Sequence, residues 1–281
     1  MSDLRTNGPD FLCVGMQKAG TQWLYDQLAT CSGAWMPPIK ELNFWEGSFG
    51  KPSNLKQMKR MLDTDREEYG AVRPETPQFL SYLKRFGESG PRTLEDYLGL
   101  FQFKGDRISG DISPVYATMS ASGVNSVARA LPMARVVLLV RHPVDRLKSA
   151  LSMHVRKNKI PATVLTDWPR LAEYLARSSY RNRSFPTRTW KVWQDAFGPR
   201  ARFWFFDHIV AEPERVRSEI ADHVRIFDPQ FTLAANFNRK ATKQKFTLSP
   251  AVEQGLYRLL GDEIREAVRI FGGPAEAWQT A

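Results

Sequence analysis

Along the chain, short unbroken apolar runs alternate with stretches in which apolar residues return every three or four positions. The unbroken runs predict strands at Phe11–Gly15, Arg135–Val140 and Arg202–Phe206, with shorter candidates at Ala34–Met36 and Arg107–Asp111. "RVVLLV" has no polar alternation, the pattern of a parallel strand covered on both faces. Helical spacing predicts helices at Thr21–Ala29, about 54–64, Thr93–Leu100, about 122–131, Val144–Lys157, Leu171–Ser178, Thr187–Ala196 and Pro213–Val224. A last helix follows Ser249, a good N-cap, with Pro250 at the first helical position.

Strands alternating with helices indicate an α/β fold around a mainly parallel sheet. With no internal repeat, low-complexity tract or Gly/Ser linker, residues 1–281 read as a single domain. Residues 47–92 are polar, proline-containing and too long for a simple connection, so they read as an irregular insertion near the ligand face, where they would shape an acceptor site. Trp190, Trp193 and Phe197 share helical spacing and read as core. A chain of 281 residues buries roughly 75% of its extended surface and needs no staple. Cys13 and Cys31 therefore read as packing residues. "MSDLRTNGPD" lacks the apolar core of a signal peptide, and no apolar run reaches membrane-span length. The expectation is a cytoplasmic protein without a membrane span.

Net charge sharpens this picture. Residues 135–245 carry 22 lysines and arginines against 10 aspartates and glutamates, while the whole chain is +10. The basic surplus is regional, which suits an anionic ligand. No helix-turn-helix or RNA-recognition sheet accompanies it, so no nucleic-acid partner is expected.

The first strand runs into "GMQKAGT" and then a helix. A glycine-bearing turn at a helix start presents backbone N–H groups and the positive end of the helix dipole to an anion. The lysine, however, stands at position 18, before Gly20, whereas a Walker loop has its lysine after the last glycine, followed by a magnesium-binding hydroxyl. After the strand "RVVLLV" come Arg141, Pro143 at a helix start, Arg146, and Ser149 eight residues beyond Arg141. A guanidinium and a hydroxyl at such spacing suit a phosphate monoester with several acceptor oxygens.

These two stretches resemble the sulfotransferases that use 3′-phosphoadenosine 5′-phosphosulfate (PAPS) and release PAP. "GMQKAGTQWL" is similar to their 5′-phosphosulfate loop, with Gln22 where a second hydroxyl is common. "RHPVDRLKS" is similar to their R-x-P-x-x-R-x-x-S motif for the 3′-phosphate, with His142 where asparagine or aspartate is frequent. The resemblance implies the P-loop-nucleotide-kinase-like sulfotransferase fold. It also implies that Lys18 holds the phosphosulfate with the backbone of Ala19, Gly20, Thr21 and Gln22, and that Arg141 and Ser149 hold the 3′-phosphate. Trp23 falls where cytosolic members stack adenine, or else is core beside Leu24 and Leu28. Arg239 and Lys240 match the start of a loop that closes over the 3′-phosphate; Ala241 replaces its glycine, and Lys243 is an alternative cation. A solvated basic loop explains the same stretch.

"PPIKELNFWE" resembles K-E-x-x-F/Y-F of the carbohydrate-acting members, heparan-type and bacterial, whose glutamate is the base. The resemblance makes Glu41 the general base and Lys18 the stabiliser of the leaving PAP, with Lys40 at the substrate. "GDISPVYATM" resembles G-E-K-S-P-x-Y-L and places Asp111 and Ser113 at the acceptor site, with Ile112 in place of a lysine. Of the histidines, His154 reads as a packed helix residue or one facing the cofactor, and His208 as structural. The implied reaction is sulfuryl transfer from PAPS to a hydroxyl of a carbohydrate or glycosylated small-molecule acceptor, without a metal. A P-loop small-molecule kinase using ATP is the alternative.

Overall fold

The computed structural model describes residues 8–47, 73–86, 93–177, 181–238 and 243–280. Its centre is a four-stranded, all-parallel sheet of order β2-β1-β3-β4. The strands are β1 (Phe11–Gly15), β2 (Gly110–Ile112), β3 (Arg135–Val140) and β4 (Ala201–Phe205). Every residue of Val136–Val140 is at most 1% exposed, as a strand covered on both faces demands. Removing each such valine or leucine from water contributes about 1.5–3 kcal/mol.

Helices cover both faces of the sheet: α1 (Thr21–Ala29), α2 (Thr76–Lys84), α3 (Leu94–Gly99), α4 (Ala121–Ala130), α5 (Pro143–Arg156), α6 (Trp168–Arg177), α7 (Pro186–Phe197), α8 (Phe206–Ala211), α9 (Pro213–His223) and α10 (Pro250–Phe271). None of the described helices is long and apolar enough to cross a membrane. Ser249 caps α10 by accepting from Val252 N, as its sequence predicts. Trp193 and Phe197 lie in the core, and Cys13 and Cys31 are buried, unbridged thiols.

Three expectations change in the structure. Ala34–Met36 contributes only a parallel bridge, Ala34 to Ile108, because Pro37 and Pro38 follow at once and supply no N–H to a ladder. The expected strand at 107–111 is shifted to Gly110–Ile112 for the same reason: its first residues meet only that bridge. Within the stretch read as irregular, Thr76–Lys84 is helical, with Phe79, Leu80 and Leu83 buried. They join Trp35, Ile39, Leu42, Tyr97 and Phe101 in a second apolar cluster beside the main core. The helix expected near 54–64 lies outside the described residues.

The connections out of β1 and β3 lead to opposite sides of the sheet. The crevice beyond their carboxyl ends is therefore a topological switch point, where open α/β sheets bind ligands.

Candidate active site

Four loops meet along the carboxyl edge of the sheet. The loop after β1 lies at the centre. Met16 N donates to Leu139 O of β3 at 2.7 Å, and Ala19 N donates back to Met16 O at 3.1 Å. Lys18 takes the left-handed conformation at φ 74°, and Gly20 turns the chain into α1 at φ 101°. A Cβ at Gly20 would stand 3.0 Å from Ile209 Cδ1, and one at Gly15 would stand 3.0 Å from the Ala117 Cβ. The loop is thus wedged between α8 on one side and the turn Pro114–Thr118 on the other. No side chain caps α1, and its first ladder bond is Leu24 N to Gly20 O at 3.0 Å. The N–H groups of Gly20, Thr21, Gln22 and Trp23 therefore have no intrahelical acceptor. Gln22 turns along the helix and donates to Asp26 Oδ1 at 2.9 Å.

Arg141 emerges from β3 beside this loop. Its Nη1 donates to Lys18 O at 2.9 Å, and its guanidinium lies 4.4 Å from the Phe206 ring centre at the start of α8. Burial lowers its pKa from the usual arginine value, and Asp145 and Asp207 oppose that shift. The two motifs read separately from the sequence are therefore in direct contact. His142 then caps α5 with its ring, Nδ1 accepting from Val144 N at 3.2 Å and Asp145 N at 3.4 Å. Ser149 is half-buried in the second turn of that helix. Lys243 is exposed, in a stretch tied to the same helix through Phe246 N to Ser152 Oγ at 3.3 Å and through Arg156 to Gln244 O. Arg239 and Lys240 lie outside the described residues.

Trp23 is 5% exposed in the core, and its indole N–H donates to Ala235 O at 2.6 Å. Gln27, one turn on, donates to Ala234 O at 2.9 Å, and Arg217 bonds both Gln27 Oε1 and Leu233 O. Helix α1 thereby holds the chain that runs on to Arg239.

The Lys40–Trp45 loop covers the end of β2. Lys40 is buried, and its Nζ lies 3.2 Å from Glu41 Oε1, whose side chain is 45% exposed. Asp111 and Ser113 are 1% and 0% exposed and joined by a 2.6 Å hydrogen bond from Ser113 Oγ, which accepts from Asn43 N of this loop at 3.0 Å. Ser113 N donates to Cys13 O at 3.1 Å, which sets this layer against β1. Sequence reasoning did not find Tyr97, whose hydroxyl donates to Asp111, or Phe206 under Arg141; neither stands in a motif. His154 Nδ1 lies 2.7 Å from Tyr174 Oη, and His208 meets the Phe205 ring.

Compared by sequence, the chain matches no protein-family model and no curated protein. Compared by structure, it superimposes over 96% of its length on 98% of a sulfotransferase from Alicyclobacillus acidocaldarius, with TM-score 0.63 and 19% identity. The chain has the sulfotransferase fold. The sulfotransferase domain of the Synechococcus PCC 7002 olefin synthase matches with TM-score 0.57 and 17% identity, over 96% of this chain and 97% of that one. The sulfotransferase domain of the curacin biosynthetic pathway matches with TM-score 0.53 and 13% identity, over 91% and 97%. Within the sulfotransferase fold, the β1 and β3 loops described above occupy the switch-point crevice.

Proposed function

We propose that the chain is a sulfotransferase that takes its sulfuryl group from PAPS and gives it to a hydroxyl on a carbohydrate or glycosylated small molecule. The observation that carries this reading is the contact of Arg141 with the backbone of Lys18. It joins a phosphate-loop cation to a second, guanidinium-bearing loop, as a nucleotide with phosphates at both 5′ and 3′ positions needs. The wedged loop, where a Cβ at Gly15 or Gly20 would crowd its neighbours at 3.0 Å, supports a close backbone approach to an anion.

PAPS supplies the activated sulfuryl group when bound. Lys18 and the N–H groups of Ala19 to Gln22 hold the 5′ end, and the lysine stabilises charge on the departing phosphate oxygen. Arg141 and Ser149 bind the 3′-phosphate, assisted by Arg239, Lys240 and Lys243. Trp23 contributes by anchoring the chain that precedes Arg239. Glu41 takes the proton of the acceptor hydroxyl, and Lys40, 3.2 Å from it, steadies the acceptor. The ATP-dependent kinase alternative has no support in these structural neighbours, and its lysine after the last glycine is absent.

The test is a thermal shift of the purified protein with PAP, ADP or AMP, repeated on Arg141→Ala and Ser149→Ala. Stabilisation by PAP alone, lost in both variants, is expected. Equal stabilisation by ADP, indifferent to both substitutions, would remove the 3′-phosphate site and with it the reading.

A further inference from the structure

Asp111 makes three hydrogen bonds, and each of its donors belongs to a side chain that also holds the Glu41 loop. Its Oδ1 accepts from Ser113 Oγ at 2.6 Å; its Oδ2 accepts from Tyr116 Oη at 2.7 Å and Tyr97 Oη at 3.1 Å. The Ser113 oxygen in turn accepts from Asn43 N at 3.0 Å, and the Tyr116 oxygen accepts from Trp45 N at 3.5 Å. The Tyr97 ring stacks on Phe44 at 4.4 Å and 9°. Three consecutive loop residues, 43 to 45, are therefore each gripped by a group whose hydroxyl proton is committed to one buried carboxylate.

The loop needs this grip. Glu41 and Asn43 both take left-handed backbone, at φ 65° and 56°, without being glycine. Left-handed backbone is unfavourable for a glutamate, and less so for an asparagine, and it persists where the surroundings enforce it. The carboxylate also fixes polarity. Because it only accepts, it draws every hydroxyl proton inward and leaves the oxygen lone pairs of Ser113 and Tyr116 facing the loop amides.

We infer that Asp111 is a positioning residue for sulfuryl transfer, which sets Glu41 through the Ser113, Tyr116 and Tyr97 hydroxyls rather than by touching the acceptor. This rests on the assignment of Glu41 as base. Asp111→Asn keeps the shape but offers an NH2 to one set of hydroxyls, reversing part of the polarity. Ser113→Ala and Tyr116→Phe each cut one arm.

Hydrogen–deuterium exchange at single amides, with PAPS turnover followed as PAP formation in water, separates the possibilities. In Asp111→Asn, faster exchange is expected at both Asn43 and Trp45. In Ser113→Ala the change is confined to Asn43, and in Tyr116→Phe to Trp45. Turnover in Asp111→Asn is expected to fall about 100-fold at unchanged half-saturating PAPS, since the base is misplaced while the nucleotide site is intact. Wild-type exchange in Asp111→Asn, exchange changes spread evenly through the chain, or undiminished turnover with both amides released would each overturn the inference. PAP-induced stabilisation of the wild-type protein is read in parallel. Its absence would remove the PAPS reading, while the two-arm exchange pattern would still decide what Asp111 holds.

Discussion

Glu41 and Lys40 show how one pair of adjacent residues divides its work by exposure. The glutamate side chain is 45% exposed and the lysine 7%, with 3.2 Å between Nζ and Oε1. The pair thus leaves the carboxylate open to a ligand while its cationic partner stays covered. Glu41→Gln is isosteric and cannot take a proton. PAPS-dependent transfer is expected to fall about 10²–10⁴-fold in a radiolabelled assay while PAP binding by thermal shift stays unchanged. Near-normal transfer would remove Glu41 as base. Lys18 and Arg141 were legible at this scale because each follows directly from a strand that the apolar pattern marks. Asp111 was also singled out, but as an acceptor contact. Its partners come from positions 97, 113 and 116 and reach on to 43 and 45, a set that no local window contains.

Helix α5 begins at a histidine cap. Its sequence departs from the motif it resembles at His142, yet the neutral imidazole does the capping work of asparagine, Nδ1 accepting two N–H bonds. Burial lowers the pKa of His142 and so favours the neutral ring, and the two N–H donors fix Nδ1 as the acceptor. His142→Asn is expected to preserve stability within about 0.5 kcal/mol, and His142→Ala to cost about 1 kcal/mol, both read by denaturant unfolding. Equal losses in the two variants would mean that ring packing on Tyr257 and Trp278, and not the cap, decides. Most element boundaries followed from periodicity and end signals, such as Pro143 and the Ser249–Pro250 pair. Helix α2 did not. Its three buried apolar residues count only because the second cluster with Trp35 and Phe101 exists to receive them.

Across the fold, buried titratable groups set opposing pH dependences. Glu263 of α10 accepts from Thr187 N and Oγ1 at the start of α7, both at 2.9 Å, and burial raises its pKa to about 7. The folded state therefore holds a proton that the unfolded chain releases above 4.5, so this group's contribution declines as pH rises from 4.5 through about 7. His154 and His223 are pushed down to about 4, again by burial. The unfolded chain protonates them below 6.5 while the folded chain does not, so their contribution is lost as pH falls from 6.5 through about 4. With two histidines opposing one glutamate, the melting temperature is expected to peak between roughly pH 6 and 7. Relative to wild type, Glu263→Gln should gain stability as pH is raised from 5 to 8. A constant difference across that range would unlink Glu263 from the pH profile.

Read by itself, the chain yields the α/β class, the strands β1, β3 and β4, the helices other than α2 and α8, and the two loops that bear Lys18 and Arg141. All of these are encoded locally, in the period of apolar residues and in the signals that end each run. Tertiary structure alone settled that those loops touch, that Ala34–Met36 shrinks to a bridge, that Trp23 anchors a distant chain, and that the partners of Asp111 hold residues 43 to 45. Each of these joins residues far apart in sequence, and packing around the parallel sheet brings them together.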